Sequence, residues 1–219
     1  MEEKEEKERN QERQLRLKQL FTNSLMDERF KKETFENWDF NKGNTGLYKI
    51  GIKYCENFKK AKEEGLGLLL YGNPGNGKTY LSNSIANNLL LRYVTVISVS
   101  INALLQRIQK TYNSYGKEGE DQIIMSLSNA DLLIIDDLGT EQNTEWSKTK
   151  IYNIIDSRYR NGLPVIVSTN KSIDDLKEIY EERTVDRLFE MCTPYLVSGE
   201  SIRKVKAREK TELLKEILK

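Results

Sequence analysis

Gly72, Gly75, Gly77, Lys78 and Thr79 carry the strongest chemical signal in the chain, because they complete the pattern G-x-x-x-x-G-K-[ST] within Gly72-Asn73-Pro74-Gly75-Asn76-Gly77-Lys78-Thr79-Tyr80. A loop of this composition binds phosphate. Its glycines permit backbone angles and close approaches that a Cβ would forbid, so successive N–H groups can converge on phosphate oxygens. A helix opening at Lys78 adds positive potential at the same point. Lys78 is placed to reach the β- and γ-phosphates, and the Thr79 hydroxyl to ligate Mg²⁺.

Two carboxylates follow in Leu132-Leu133-Ile134-Ile135-Asp136-Asp137-Leu138-Gly139, where an apolar strand ends in acids. Ligands of open α/β sheets sit beyond the carboxyl ends of the strands, so these acids should emerge beside the phosphate loop. Asp136 is the candidate for the metal, held with Thr79, and Asp137 for orienting or deprotonating an attacking water. Val165-Ile166-Val167-Ser168-Thr169-Asn170 repeats the arrangement and delivers Asn170 to the same edge, able to position that water by hydrogen bonding. Ser172 and Asp175 then form a capping-box pattern. Arg183 and Arg187 stand four residues apart, on one helical face, and suit contact with a phosphate across a subunit interface.

These residues need a scaffold of alternating elements. Leu68–Tyr71 reads as a buried strand, Leu81, Ile85 and Leu89 as one stripe of the next helix, and Val94–Val99 as a second strand. Ile101, Leu104, Leu105, Ile108 and Tyr112 fit a helix closing at Asn113–Gly116, and Leu132–Ile135 and Pro164–Ser168 supply further strands. The expected class is α/β, a three-layer αβα arrangement with a mainly parallel sheet covered on both faces. Ahead of it, Phe30, Phe35, Trp38 and Phe40 either line a base pocket or fill the core, and Leu47 to about Lys62 reads as one helical stretch.

Over 219 residues, 35 basic and 34 acidic side chains leave a net charge of +1, so nucleic-acid affinity would have to come from local patches. Cys55 and Cys192 lie far apart and histidine is absent, which removes the usual zinc sites and every histidine-based triad. No apolar run approaches the roughly 20 residues of a bilayer span, and a cytoplasmic location is expected. Residues 1–26 read as a charged helical arm, with pairs such as Glu3–Lys7 worth about 0.2–0.5 kcal/mol each and Leu20, Phe21 and Leu25 at its apolar end. Residues 27–219 read as the catalytic domain. Arg107, Lys110, Tyr112, Tyr115 and Lys117 combine cations with aromatic rings, the pairing that single-stranded DNA requires, although a solvated helix end has the same composition.

The order of these motifs, with Ser201-Ile202-Arg203 after them and Arg29–Trp38 before, resembles the AAA+ helicase loaders of the DnaC and DnaI type and the related IstB transposition ATPases. The similarity runs from about residue 25 to the C-terminus. It implies a five-stranded AAA+ P-loop core, ATP and Mg²⁺ as cofactors, and self-association through the ATP sites. It further implies assembly on single-stranded DNA and a replicative DNA helicase as partner. By the same resemblance Asn170 is the sensor-1 residue, Arg203 the sensor-2 residue, and Arg187 the finger acting in trans, with Arg183 second. Asp137 stands where many AAA+ proteins carry Glu, which implies slow hydrolysis, and the arm has no cysteine-rich zinc module. A transposase partner, a small-molecule kinase and a nucleotide-gated adaptor that barely hydrolyses ATP are the competing readings.

Overall fold

The computed structural model describes residues 2–20, 28–112 and 119–218. Five strands form one parallel sheet in the order β2-β3-β4-β1-β5: β1 Gly67–Tyr71, β2 Val96–Ser100, β3 Leu132–Asp136, β4 Val165–Thr169 and β5 Cys192–Leu196. Alternation along each strand splits the apolar residues between two cores, as the two-residue period requires. Leu69, Val99, Leu133, Ile135 and Val167 face one core, while Leu70, Val96, Leu132, Ile134 and Ile166 face the other. Both faces are therefore apolar, and helices cover both.

On one face lie α3 (Thr45–Glu56) and α5 (Lys78–Leu91), with Leu81, Ile85 and Leu89 of α5 fully buried against the sheet. On the other lie α6 (Ile101–Thr111), α7 (Glu120–Asn129), α8 (Glu145–Arg160), α9 (Ile173–Ile179) and α10 (Glu182–Met191). The three-layer expectation holds. The stretch from Leu47 to Lys62 is not one helix: it breaks at Asn57 into α3 and α4 (Phe58–Glu63), because Asn57 leaves helical geometry and its N–H turns back to the carbonyls of Lys53 and Cys55. The capping box of Ser172 and Asp175 closes the first turn of α9.

The arm is less peripheral than its charge suggests. The helix α1 (Glu2–Leu20) buries Leu17 in the core, and the Gln14 side-chain amide bonds both the N–H and the C=O of Val96 at 3.0 Å. Since β2 is an edge strand, Gln14 does for Val96 what a neighbouring strand would do. The expected Glu3–Lys7 pair forms at 3.0 Å, while Phe21 and Leu25 lie outside the described residues. Finally, α2 (Glu28–Lys32) leads into the segment that crosses α5, and α11 (Ile202–Ile217) leaves β5 to run over the mouth of a cavity.

Candidate functional site

Phosphate chemistry depends on the loop between β1 and α5. Gly72, Gly75 and Gly77 have φ of 130°, 86° and 100°, in the region that L side chains avoid. At Gly72 a Cβ would stand 2.6 Å from the Val197 carbonyl, and at Gly75 it would collide with Ser201 Oγ. Both glycines are thus required by the segment joining β5 to α11. That segment is fastened to the loop, since Ile202 N–H donates to Gly75 O at 2.8 Å and Asn76 Nδ2 donates to Val197 O.

Lys78, in the first turn of α5, curls back over the loop. Its Nζ donates to Gly72 O at 2.7 Å, Asn73 O at 2.9 Å and Asn76 Oδ1 at 3.2 Å. Burial lowers its pKa below that of a free lysine, with Asp137 and then Asp136 acting in the other direction. A polyphosphate entering the loop offers that ammonium stronger, charged acceptors than the carbonyls it now uses.

The carboxylates sit where the strand argument placed them. Thr79 Oγ1 donates to Asp136 Oδ1 at 3.0 Å, and Ser168 Oγ donates to the same oxygen. Burial raises the Asp136 pKa above the usual carboxylate range, while the bonds from Ser168 and Thr79 oppose the shift. This hydroxyl and carboxylate form a hard oxygen pair of the kind Mg²⁺ takes beside phosphates, so the residues fit that ion. Asp137 occupies left-handed backbone geometry at φ 58°, a strained conformation for a residue with a side chain. The surrounding bonds hold it there: Asp137 N–H donates to Ser168 Oγ at 3.2 Å, Leu138 N–H to Ser168 O at 2.9 Å, and Thr140 Oγ1 to Asp137 O at 2.8 Å. Asn170 Nδ2 donates to Asp137 Oδ1 at 3.3 Å, so the two groups expected to share a water already share a hydrogen bond.

A cavity of about 710 Å³ opens over these groups. Residues 74–80, Asp137, Asn170 and Arg203 line its phosphate end, whereas Trp38, Asp39, Lys42, Gly43 and Asn44 line the other. The aromatic lead-in therefore divides. Trp38 is buried in the same core as Phe30 and Phe35 and also borders the cavity, whereas Phe40 is exposed with its ring 4.9 Å from Tyr48. Sequence reasoning missed the role of Ser168, which braces the Asp136 carboxylate and the Asp137 backbone, and the lysines of α11. Lys206 and Lys210 join Arg203 on the cavity wall, a spacing of three and then four residues that marks one helical face. Lys42 pairs with Glu209 at 2.5 Å and ties α11 to the base end.

Arg183 and Arg187 do not reach this cavity. They lie on the outer face formed by α8 and α10. Nor do the described members of the proposed DNA patch enter it: Tyr112 OH donates to Glu120 at 2.6 Å and accepts from Trp146 Nε1 at 3.2 Å, while Tyr115 and Lys117 lie outside the described residues.

Residues 1–210 match the family model described as IstB-like ATP binding protein. The chain belongs to that family. Among curated relatives, the replicative helicase loader DnaC of Escherichia coli (strain K12) is 32% identical over 117 residues, covering 53% of this chain and 47% of the relative. DnaC of Buchnera aphidicola subsp. Baizongia pistaciae is 27% identical over 175 residues, covering 80% and 70%. The chain thus spans about half the length of the E. coli relative it matches. Among solved structures, the DnaC helicase loader aligns with a TM-score of 0.67 at 24% identity, over 78% of this chain and all of that one. AMPPCP-bound DnaA from Aquifex aeolicus aligns at 0.64 and 23%, over 83% of this chain and 55% of that one. These likenesses establish the AAA+ P-loop fold, and family membership supports ATP binding and ATPase activity in general. No helix among the described residues is long and apolar enough to cross a membrane.

Proposed function

We propose that this chain is an AAA+ ATPase that loads or remodels a replicative DNA helicase on single-stranded DNA, acting in the cytoplasm through ATP-dependent self-association. One observation carries the reading: the groups for binding and cleaving a triphosphate converge on one cavity, while both arginines suited to a γ-phosphate face away from it. A site so divided is completed by a second copy.

In this reading residues 72–80 and Arg203 hold ATP, with Lys78 on the β- and γ-phosphates. Thr79 and Asp136 would hold Mg²⁺, which would supply positive charge beside the phosphates. Asp137 and Asn170 orient the attacking water, and a neighbour's Arg187, with Arg183 second, stabilises the transition state. The strained backbone at Asp137 fixes its carboxylate before substrate arrives, and the shorter side chain of Asp compared with Glu fits slow turnover. Residues 27–219 form the ATPase domain and residues 1–26 an arm; Arg107, Lys110, Tyr112, Tyr115 and Lys117 are the proposed DNA contacts.

The relatives named as helicase loaders support the helicase partner. The family match over 210 residues, longer than the 117 aligned to the E. coli loader, supports a second reading, an accessory ATPase of transposition with a transposase partner. Affinity capture with ATP present, followed by identification of the co-purifying protein, separates them. A replicative helicase is the expected result, a transposase selects the second reading, and an assay that yields a phosphorylated small-molecule product in place of free phosphate would sink both.

A further inference from the structure

The α8–α10 face holds a cluster whose parts the proposed reaction does not explain. Arg187 Nη2 lies 2.9 Å from Asp156 Oδ1, with both side chains largely buried. Its guanidinium stands over two rings of α8, 4.9 Å from the centre of Tyr152 and 5.6 Å from that of Tyr159. A hydrogen bond that the Arg187 guanidinium donates to the Tyr152 hydroxyl raises the Arg187 pKa, with Asp156 adding to it against burial. Arg183 shares the Tyr152 ring at 4.2 Å and pairs with Glu181 at 2.5 Å, where both partners are more than half or about half exposed. The Asp156 carboxylate also accepts from Arg160 Nε at 2.9 Å.

The contact between Asp156 and Arg187 is close but poorly directed. Asp156 Oδ1 and Arg187 Nη1 are both buried without a hydrogen-bond partner among the described residues. The ion pair therefore gains Coulomb energy and leaves one donor and one acceptor unsatisfied, an arrangement a better acceptor can displace. A phosphate offers such an acceptor, taking two parallel bonds from a guanidinium. Tyr152 and Tyr159 present flat surfaces over which the guanidinium can slide while keeping its cation–π contact.

We propose that Asp156, Tyr152 and Tyr159 position the trans-acting arginine: Asp156 holds Arg187 against its own subunit until a neighbour's nucleotide draws it off, and the tyrosine rings guide it outward. The proposal rests on the reading of Arg187 as the finger. Asp156 is a positioning residue, since it touches neither nucleotide nor metal. Its cis contact competes with the catalytic one, so weakening it favours the engaged state.

The test uses the full chain, with ATP turnover measured across protein concentration beside ATP affinity and melting temperature. Asp156→Asn should raise turnover per protomer about 2- to 5-fold. ATP affinity should stay unchanged, and the gain should vanish in the double variant with Arg187→Ala. Tyr152→Phe, which keeps the ring and removes the hydroxyl, should give a smaller gain in the same direction and covers the case in which Asp156→Asn melts early. Unchanged or lower turnover in both variants overturns the proposal, provided Arg187→Ala is inactive. If Arg187→Ala turns over like wild type, the finger reading itself fails and the positioning role fails with it.

Discussion

At the phosphate end of the cavity, Lys78 spends its donors on three oxygens of its own loop and Asp136 accepts from two hydroxyls, all held on adjacent strands and one helix. On the α8–α10 face, Arg183 and Arg187 rest on tyrosine rings with acidic side-chain partners. The first region is assembled before ligand arrives. The second is held only by side-chain contacts, part-buried at Arg187 and exposed at Arg183, which the proposed reading has a neighbour's nucleotide replace. The difference shows how one reaction can use a rigid half that binds and a movable half that reports a neighbour, and it assigns different failures to the two halves.

Replacing Arg187 with Ala should break the movable half alone: assembly-dependent turnover falls by about 10³ or more, the scale of such arginines in other nucleotide hydrolases, while ATP affinity measured by calorimetry is retained. Comparable turnover in a strictly monomeric preparation would erase the distinction between the regions. Lys78→Ala should break the rigid half, weakening ATP binding about 10²- to 10⁴-fold through the loss of two or more charge-assisted bonds of ~1.5–3 kcal/mol each.

Acidity sharpens the contrast further. A carboxyl whose folded pKa is raised, as burial raises Asp136, binds its proton more tightly when folded, so this group favours folding at low pH and opposes it as pH rises. Metal binding needs the ionised form, so Mg²⁺-dependent ATP affinity should fall on acidification, with a midpoint above the pKa of a free aspartate. Ser168→Ala, by removing a bond that favours ionisation, should move that midpoint upward in a fluorescent-nucleotide titration; no movement would detach Asp136 from the metal. The smallest effect belongs outside both regions: Gln14→Ala removes two bonds to Val96 and should cost about 1–2 kcal/mol in denaturant unfolding, with ATP turnover per folded protomer unchanged.

The rigid half was largely legible from residue order. Four of the five strands follow from apolar runs, and Asp136, Asp137 and Asn170 follow from the rule that strand ends face the ligand. The fifth strand, Cys192–Leu196, carries Pro194 and is half exposed, because it lies at the edge of the sheet, where a missing N–H is tolerated; no apolar run announces it. The break at Asn57 was equally silent, since the apolar spacing continues through it.

What the sequence determined by itself was the phosphate chemistry, because a loop of nine consecutive residues supplies its own backbone donors, cation and hydroxyl. Tertiary structure decided everything that depends on distant segments meeting. It placed Ser201 and Val197 against the glycines of the loop, Ser168 against the Asp136 carboxylate and the Asp137 backbone, Gln14 on the open edge of β2 and Arg187 against Asp156. Each joins residues separated by 30 or more positions. Their pairing is set by how helices pack on a twisted sheet, a property of no single stretch of the chain.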